Sequence, residues 1–255
     1  MENFYLSANA YNNIYVFGTE SASLHIVDTG DGLIMFDTGY LKDFDTLVDK
    51  MGDFNLKLED VKILLLTHGH IDHIDCAKII RDISGCIIGI GEKDKDYVNG
   101  KVNLTWADEI GTEYKYPFEA DKIIYDGDII SLGNTTVKCI HSPGHTPGAI
   151  TYIFNTGDYI ASIHGGTGFN SMKIAWLDKY NLPYDCREDF IKSCDRLKKE
   201  KVDIVLGNHL SQNNSVKKAE MVKNGNKDAF VDKDEWVNFL EGRKKALIEM
   251  MEKGE

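Results

Sequence analysis

A short apolar segment followed at once by four polar side chains constrains the fold more than any other feature of this sequence. Residues 61–66, VKILLL, form an almost wholly apolar run that is too short for most helices and predicts a buried strand. Soon after it come His68, His70, Asp72 and His73. Because α/β folds assemble their sites at strand ends, we expect this loop to belong to a functional site.

The residue types in this loop favour metal binding. His68 and His70 are two residues apart on extended backbone, so both rings can turn to the same side, while Asp72 and His73 face a neighbouring point where a helix begins. Imidazole nitrogen and carboxylate oxygen suit zinc, and three nitrogen ligands leave a fourth position for a water whose pKa falls to about 7. A structural zinc site usually includes cysteine, and no cysteine lies at these spacings. The loop therefore predicts a catalytic metal site.

The composition limits the class of partner. The chain has 255 residues, a net charge of −12, 42% hydrophobic residues and 27% charged residues. This charge repels a phosphate backbone, so we expect a small-molecule substrate and no nucleic acid. The first residues lack the pattern of a signal peptide and no segment approaches the ~18 apolar residues of a membrane span, so we expect a cytoplasmic protein without membrane contact. The five cysteines include no C-x-x-C pair, which favours free thiols. The sequence leaves the oligomeric state open.

Strands and helices are predicted in both halves of the chain. Alternating patterns and glycine turns predict strands over 13–18, 22–30, 32–40, 86–91, 123–126, 128–133, 135–142, 149–155, 158–165 and 202–208. Helical spacing of apolar residues predicts helices over 43–51, 73–84, 187–200 and 232–252. Residues 29–32, Thr-Gly-Asp-Gly, are typical of a hairpin turn. The pattern predicts two packed sheets with helices outside, and we expect residues 1–255 to form a single domain.

Three further segments complete a known pattern. They are Phe36-Asp37-Thr38-Gly39, Gly144-His145-Thr146-Pro147-Gly148, and His209 after a late strand. With the H-x-H-x-D-H motif at 68–73, the chain resembles the metallo-β-lactamase superfamily over roughly residues 13–210.

The resemblance implies a fold and a site. The fold would be α/β, an αββα four-layer sandwich, with two Zn²⁺ ions per chain at one sheet edge. His68, His70 and His145 would bind one ion, and Asp72, His73 and His209 the other. Asp37 would hold a ligand loop in place, as metal-bound imidazoles usually require.

One position differs from the pattern of many superfamily members, and this difference indicates the subclass. Lactonases, thioester hydrolases and many nucleases of the superfamily have a metal-bridging aspartate at the end of the hairpin after the His145 loop. Here that position falls at His164 or Gly165, and Asp158 lies one strand too early. Without a bridging carboxylate or a cysteine ligand, the chain resembles most the β-lactamase subclass with His-His-His and Asp-His-His sites.

Three histidines lie outside the candidate ligand set. His25 lies within a predicted strand and His141 precedes its loop, so for both we expect a packed or surface role. His164 either contacts a metal or substrate in place of the missing aspartate or simply ends a strand. We predict that it lines the site.

The sequence thus predicts a zinc-dependent hydrolase that opens a cyclic amide, most like a β-lactamase. Zinc would activate the attacking water, and Asp72 would orient it as a catalytic residue. Two alternatives stay open. The first is a lactone or thioester hydrolase acting on a metabolite, and the second is an iron-dependent enzyme that oxidises a persulfide.

Overall fold

Two β-sheets pack face to face in the computed structural model, which describes residues 4–255. The first sheet has seven strands in chain order: β1 (Leu6–Tyr11), β2 (Ile14–Thr19), β3 (Ala22–Asp28), β4 (Leu33–Phe36), β5 (Val61–Leu65), β6 (Ile87–Gly91) and β7 (Lys122–Ile124). β1 to β4 pair antiparallel, and β4 to β7 pair parallel. The predicted hairpin turn is confirmed, because the Thr29 N–H donates to the Gly32 carbonyl at 3.1 Å.

The second sheet has five strands: β8 (Ile129–Leu132), β9 (Thr135–His141), β10 (Ile150–Thr156), β11 (Tyr159–Ile163) and β12 (Ile204–Leu206). They lie in the order β12-β11-β10-β9-β8. All neighbours are antiparallel except β11 and β12, which run parallel. Both sheets therefore contain parallel strands whose carboxyl ends can meet at one edge.

Eight α-helices flank the sheets within residues 4–255: α1 (Phe44–Gly52), α2 (Ile71–Ile74), α3 (Ala77–Ser84), α4 (Lys95–Val98), α5 (Ile174–Lys179), α6 (Cys186–Leu197), α7 (Ser215–Lys223) and α8 (Glu235–Glu252). α1 and α3 cover the outer face of the first sheet, and α6 and α8 that of the second. The predicted αββα sandwich is confirmed.

The single helix predicted over 73–84 is wrong, since the structure has α2 and α3 with a break at residues 75–76. Thr38 explains the break. Its backbone N–H donates to the His73 carbonyl at 3.0 Å, and its Oγ1 accepts from the Cys76 N–H at 3.2 Å. These are groups that a continuous helix would use for its own hydrogen bonds.

Aromatic packing between the sheets connects the core to the loop after β5. Phe36 on the first sheet stacks on Phe154 of the second at a centroid distance of 5.0 Å and lies 5.4 Å from Tyr152. The buried Tyr152 hydroxyl donates to the Leu66 carbonyl at 2.8 Å, just before the His68 loop. The second sheet therefore fixes the start of a loop that leaves the first.

The terminal helix α8 docks on the second sheet. Trp236 is 1% exposed and its Nε1 donates to the Leu197 carbonyl at 2.9 Å. In the part of the chain that the structure describes, no helix is both long and apolar enough to cross a membrane. All five cysteines are free thiols.

Trp236→Ala should lower the free energy of unfolding by about 3–5 kcal/mol, because it leaves a large cavity and removes the hydrogen bond to the Leu197 carbonyl. Urea denaturation followed by circular dichroism measures this. Val237→Ala, on the exposed side of the same helix, is the matched control and should change stability by less than about 0.5 kcal/mol. Equal effects of the two substitutions would contradict this docking of α8.

Candidate metal centre

Six side chains from distant parts of the chain meet in two groups at one edge of the sandwich. We call His68, His70 and His145 the first group, and Asp72, His73 and His209 the second group. Within each group, every residue offers one ligand atom, and these atoms lie within 4.8 Å of one another. The residues of the motif follow β5, while His145 follows β9 and His209 follows β12. The structure thus brings together all six residues that the sequence analysis singled out as ligands.

Asp37 lies at the end of β4 and forms hydrogen bonds with the loop after β5, which supplies residues to both groups. Its Oδ1 accepts from the Thr67 N–H at 2.7 Å, and its Oδ2 accepts from the Thr67 hydroxyl at 2.8 Å and from His73 Nδ1 at 2.9 Å. The residue is 1% exposed and has a φ of 60°. A non-glycine residue in this left-handed region costs roughly 1–2 kcal/mol. Asp37 therefore ties Thr67 and His73 together by hydrogen bonds.

This network determines which ring nitrogens carry protons. The Thr67 hydroxyl gives its proton to Asp37, so its oxygen accepts from His68 Nδ1 at 2.9 Å. A carboxylate only accepts, so His73 Nδ1 also carries a proton. In both rings Nε2 is the nitrogen left to face the centre, and a neutral ring offers its lone pair there.

The loop over residues 165–171 orients His145 in the same way. His145 Nδ1 donates to the Gly168 carbonyl at 2.8 Å, and the Ser171 hydroxyl donates to the His145 carbonyl at 2.7 Å. Gly166 allows this approach, since a Cβ there would lie 2.3 Å from Cδ2 of the His145 ring. His145 Nε2 therefore lies 3.1 Å from His68 Nε2.

His209 is positioned through the backbone before it. The Ser23 hydroxyl and His25 Nε2 both donate to the Gly207 carbonyl, at 2.7 and 2.9 Å. His25 is 1% exposed and burial lowers its pKa to about 4, so it is a neutral packing residue as expected. His141, the other histidine expected to have a packed or surface role, is partly exposed and donates from Nε2 to the Pro147 carbonyl at 2.8 Å.

The electrostatics differ between the two groups. Burial and neighbouring imidazoles lower the pKa of His68 and His70 well below the ordinary value, and burial lowers that of His145 to about 4. Burial also opposes charge on His73, but the carboxylates of Asp72 and Asp37 raise its pKa to about 10. The first group therefore offers three neutral rings at neutral pH, and the second must release a proton to bind a cation.

These residues fit a pair of metal ions. His73 Nε2 is buried without a hydrogen-bond partner of acceptable geometry, although Asp72 Oδ2 lies 3.0 Å away. Two nitrogens bound to one tetrahedral zinc would lie about 3.3 Å apart, given bonds of about 2.0–2.1 Å, close to the 3.1 Å between the His68 and His145 nitrogens. Both observations describe ligand atoms that face a common point rather than one another.

The model of the metallo-beta-lactamase superfamily matches residues 18–166. The chain belongs to this superfamily. It is 33% identical over 130 residues to the hydroxyacylglutathione hydrolase GloC of Haemophilus influenzae, covering 48% of this chain and 58% of that enzyme. The chain spans less than half of the length of several other curated relatives at similar identity.

Solved structures of the superfamily share the whole fold. The FEZ-1 metallo-beta-lactamase of Legionella gormanii has a TM-score of 0.88 at 24% identity, covering 100% of this chain and 98% of that one. BJP-1 of Bradyrhizobium japonicum, a subclass B3 metallo-beta-lactamase, has a TM-score of 0.86 at 22% identity, covering 97% and 94%. The predicted family is thus confirmed, with subclass B3 enzymes among the structural neighbours.

The residue after β11 is His164, and its ring offers no ligand atom to either group. It packs at centroid distances of 6.1–6.2 Å from Phe190, Trp236 and Phe239, under α6 and α8. Burial lowers its pKa to about 3. Within residues 4–255 neither group of ligand atoms includes a carboxylate from this strand end. That His164 lines the site stays a prediction.

Trp106 was not predicted to belong to the site. It has a φ of 70°, and its ring lies 5.8 Å from the His70 ring and 4.1 Å from that of Trp176 in a tilted arrangement. Trp176 in turn lies 4.1 Å from Tyr180. Tyr180 donates to Glu109 Oε1 at 2.8 Å. This aromatic row joins the loop before β7 to the segment around α5. Sequence patterns do not reveal it, because neither segment has a regular period.

A cavity of about 230 Å³ lies beside the first group, bordered by His70 and His145. Its other walls are mainly apolar, with charged side chains of Lys93, Asp185 and Asp189 also at its border. The apolar walls are Tyr97, Leu104, Trp176, Leu177, Leu182 and Pro183. A ligand in this cavity would therefore reach the first group from an apolar environment.

Asp37→Asn should weaken metal binding about 10–100-fold, because an amide cannot accept all three hydrogen bonds of the carboxylate. Asparagine tolerates the left-handed backbone, so the fold should persist. Metal content after dialysis against a chelator series measures the loss. Asp121→Asn is the control, since Asp121 accepts from the Ile88 N–H at 2.9 Å far from both groups. Unchanged metal content in Asp37→Asn would refute this role.

Proposed function

We propose that this protein is a dinuclear zinc hydrolase that opens a cyclic amide of the β-lactam type. His68, His70 and His145 would hold one ion, and Asp72, His73 and His209 the other. Zinc, when bound, would act as a Lewis acid and lower the pKa of a water to about 7. The donor set supports zinc, since imidazole and carboxylate are borderline ligands and no thiolate takes part.

The observation that carries the proposal is the donor set itself. The two groups contain five imidazoles and a single carboxylate, that of Asp72. At the end of β11, where a bridging aspartate would be expected in lactonases and thioester hydrolases, the chain has His164 directed into the aromatic core. The set therefore corresponds to that of the β-lactamase subclass, which supports a cyclic amide as substrate.

The chain's own residues have separable roles. Burial alone would raise the pKa of Asp72, but the imidazoles of His73 and His209 lower it well below the ordinary value. Asp72 is thus an anion at any working pH, and it can accept a hydrogen bond from the attacking water and orient it. Asp37 keeps the rings of His68 and His73 in the orientation that this arrangement requires.

The cavity beside the first group limits the substrate. Pockets for entire drug-sized ligands usually measure about 300–1,000 Å³, and this one measures about 230 Å³. It therefore fits one substituent rather than a whole molecule. Its apolar walls favour an apolar substituent next to the carbonyl group under attack.

A thioester hydrolase is the second candidate. The observation in its favour is the 33% identity to a hydroxyacylglutathione hydrolase, although that similarity covers 48% of this chain. The missing carboxylate after β11 opposes it.

Hydrolysis of nitrocefin, acyl-homoserine lactones and acyl-glutathione thioesters by the purified protein distinguishes the candidates. We expect nitrocefin to be cleaved with the highest kcat/KM. Cleavage of only the thioester would replace the proposed substrate with the second candidate.

His70→Ala should lose zinc and activity together, with kcat/KM falling on the order of 100-fold or more, because the first group would be left with two ligands. His141→Gln is the control. Its ring donates to the Pro147 carbonyl at 2.8 Å and glutamine retains a donor there. Unchanged hydrolysis by His70→Ala would rule the assignment out.

Metal analysis of protein purified without added metal tests the identity of the ions. We expect about two zinc ions per chain, in keeping with the nitrogen-rich donor set. Iron in their place would refute the zinc hydrolase and favour the persulfide-oxidising alternative.

A further inference from the structure

The short segment over residues 91–98, from the last residue of β6 through α4, contacts both loops of the first group. Gly91 lies so close to Gly148 that a Cβ on Gly91 would be 1.9 Å from the Gly148 carbonyl oxygen. In α4, Tyr97 packs on Gly69, where an added Cβ would lie 2.6 Å from Tyr97 Cβ. Gly69 separates the two histidines of the motif, and Gly148 ends the His145 loop. The segment therefore spans the gap between the two loops.

Asp94 lies in the middle of this segment and is 0% exposed. Its Oδ2 accepts from the Gly69 N–H at 2.9 Å and from the Thr146 hydroxyl at 2.6 Å. Its Oδ1 accepts from the Gly148 N–H at 2.6 Å. One carboxylate thus bonds to the peptide between His68 and His70 and to the two sides of the turn after His145.

We propose that Asp94 is a positioning residue that sets the affinity of the first group for its metal ion. The carboxylate fixes the distance between the two loops, and so the separation of the ring nitrogens that must bind one ion. The inference rests on the proposed function only in that the first group binds a metal. It does not depend on the identity of the substrate.

The cost of burying this group supports a specific role. An ionised carboxylate loses several kcal/mol of hydration in the interior, and burial raises the pKa of Asp94 to about 6 even with its three hydrogen bonds. An apolar side chain could fill the same space without that cost. An apolar side chain would bond to neither loop, whereas Asp94 Oδ2 bonds to both and Oδ1 adds a second bond to the His145 loop. The two loops are also joined where they leave the sheets, because the Ile150 N–H donates to the Thr67 carbonyl at 2.8 Å. Asp94 adds a second restraint nearer the ligands.

The test measures metal affinity at the first group alone. His209→Ala removes one ligand of the second group and leaves the first complete. In this background, the dissociation constant for Co²⁺ is measured by competition with a chromophoric chelator. The melting temperature of the metal-free protein is measured beside it. Asp94→Asn should raise the dissociation constant about 10–100-fold.

Asp203→Asn in the same background is the matched control. Asp203 is also a buried carboxylate, 1% exposed, and accepts from the Ile160 N–H at 3.0 Å at the far end of the second sheet. It should lower the melting temperature while leaving the dissociation constant at the parent value. Equal Co²⁺ affinity in Asp94→Asn and Asp203→Asn would show that Asp94 serves stability only, and would overturn the inference.

A second pair of variants applies if Asp94→Asn does not fold. Thr146→Val removes the hydroxyl that donates to Asp94, and Thr146→Ser retains it. Weaker Co²⁺ binding in Thr146→Val, restored in Thr146→Ser, is the expected result, and equal binding in both would overturn the inference. If neither the wild-type protein nor His209→Ala binds Co²⁺, the proposed function fails together with this inference.

Discussion

The carboxylate of Asp37 is the constraint on which the rest of the centre depends. It bonds to the Thr67 backbone, to the Thr67 hydroxyl and to His73 Nδ1. Through that hydroxyl it also determines the proton position on His68. One buried anion therefore orients a ring in each group, and its left-handed backbone places it where β4 and β5 end side by side. Strain of this kind persists only where the surrounding structure over-determines it.

The two groups are supported unequally by the protein. The first group has neutral rings held by the Gly168 carbonyl and, through the loops, by Asp94. The second group contains the only carboxylate among the six ligand candidates and a histidine with a pKa of about 10. A dinuclear site built in this way contains one position that is ready for a cation and one whose binding is coupled to proton release.

Much of the fold and all six candidate ligands could be predicted because the responsible signals are local. The motif over 68–73 follows its strand directly, and the hairpin at Thr29 is specified by neighbouring residues. Asp94 could not be predicted in this way, since its three hydrogen-bond partners lie on two other loops. An acidic residue before a short helix is common and indicates no function by itself. Thr38 breaks the predicted helix from another strand end, and the left-handed Trp106 is held by the distant Trp176. Each of these is a tertiary contact that no periodicity encodes.

The candidate ligands come from both sheets, and they are therefore synthesised at well-separated times on the ribosome. The motif residues belong to the first sheet, whereas His145 and His209 follow strands of the second. The nascent chain has the residues of the first group once β9 and its loop have emerged, while the second group lacks a ligand until β12 is complete. The residues of the first group are therefore all synthesised before those of the second group are complete.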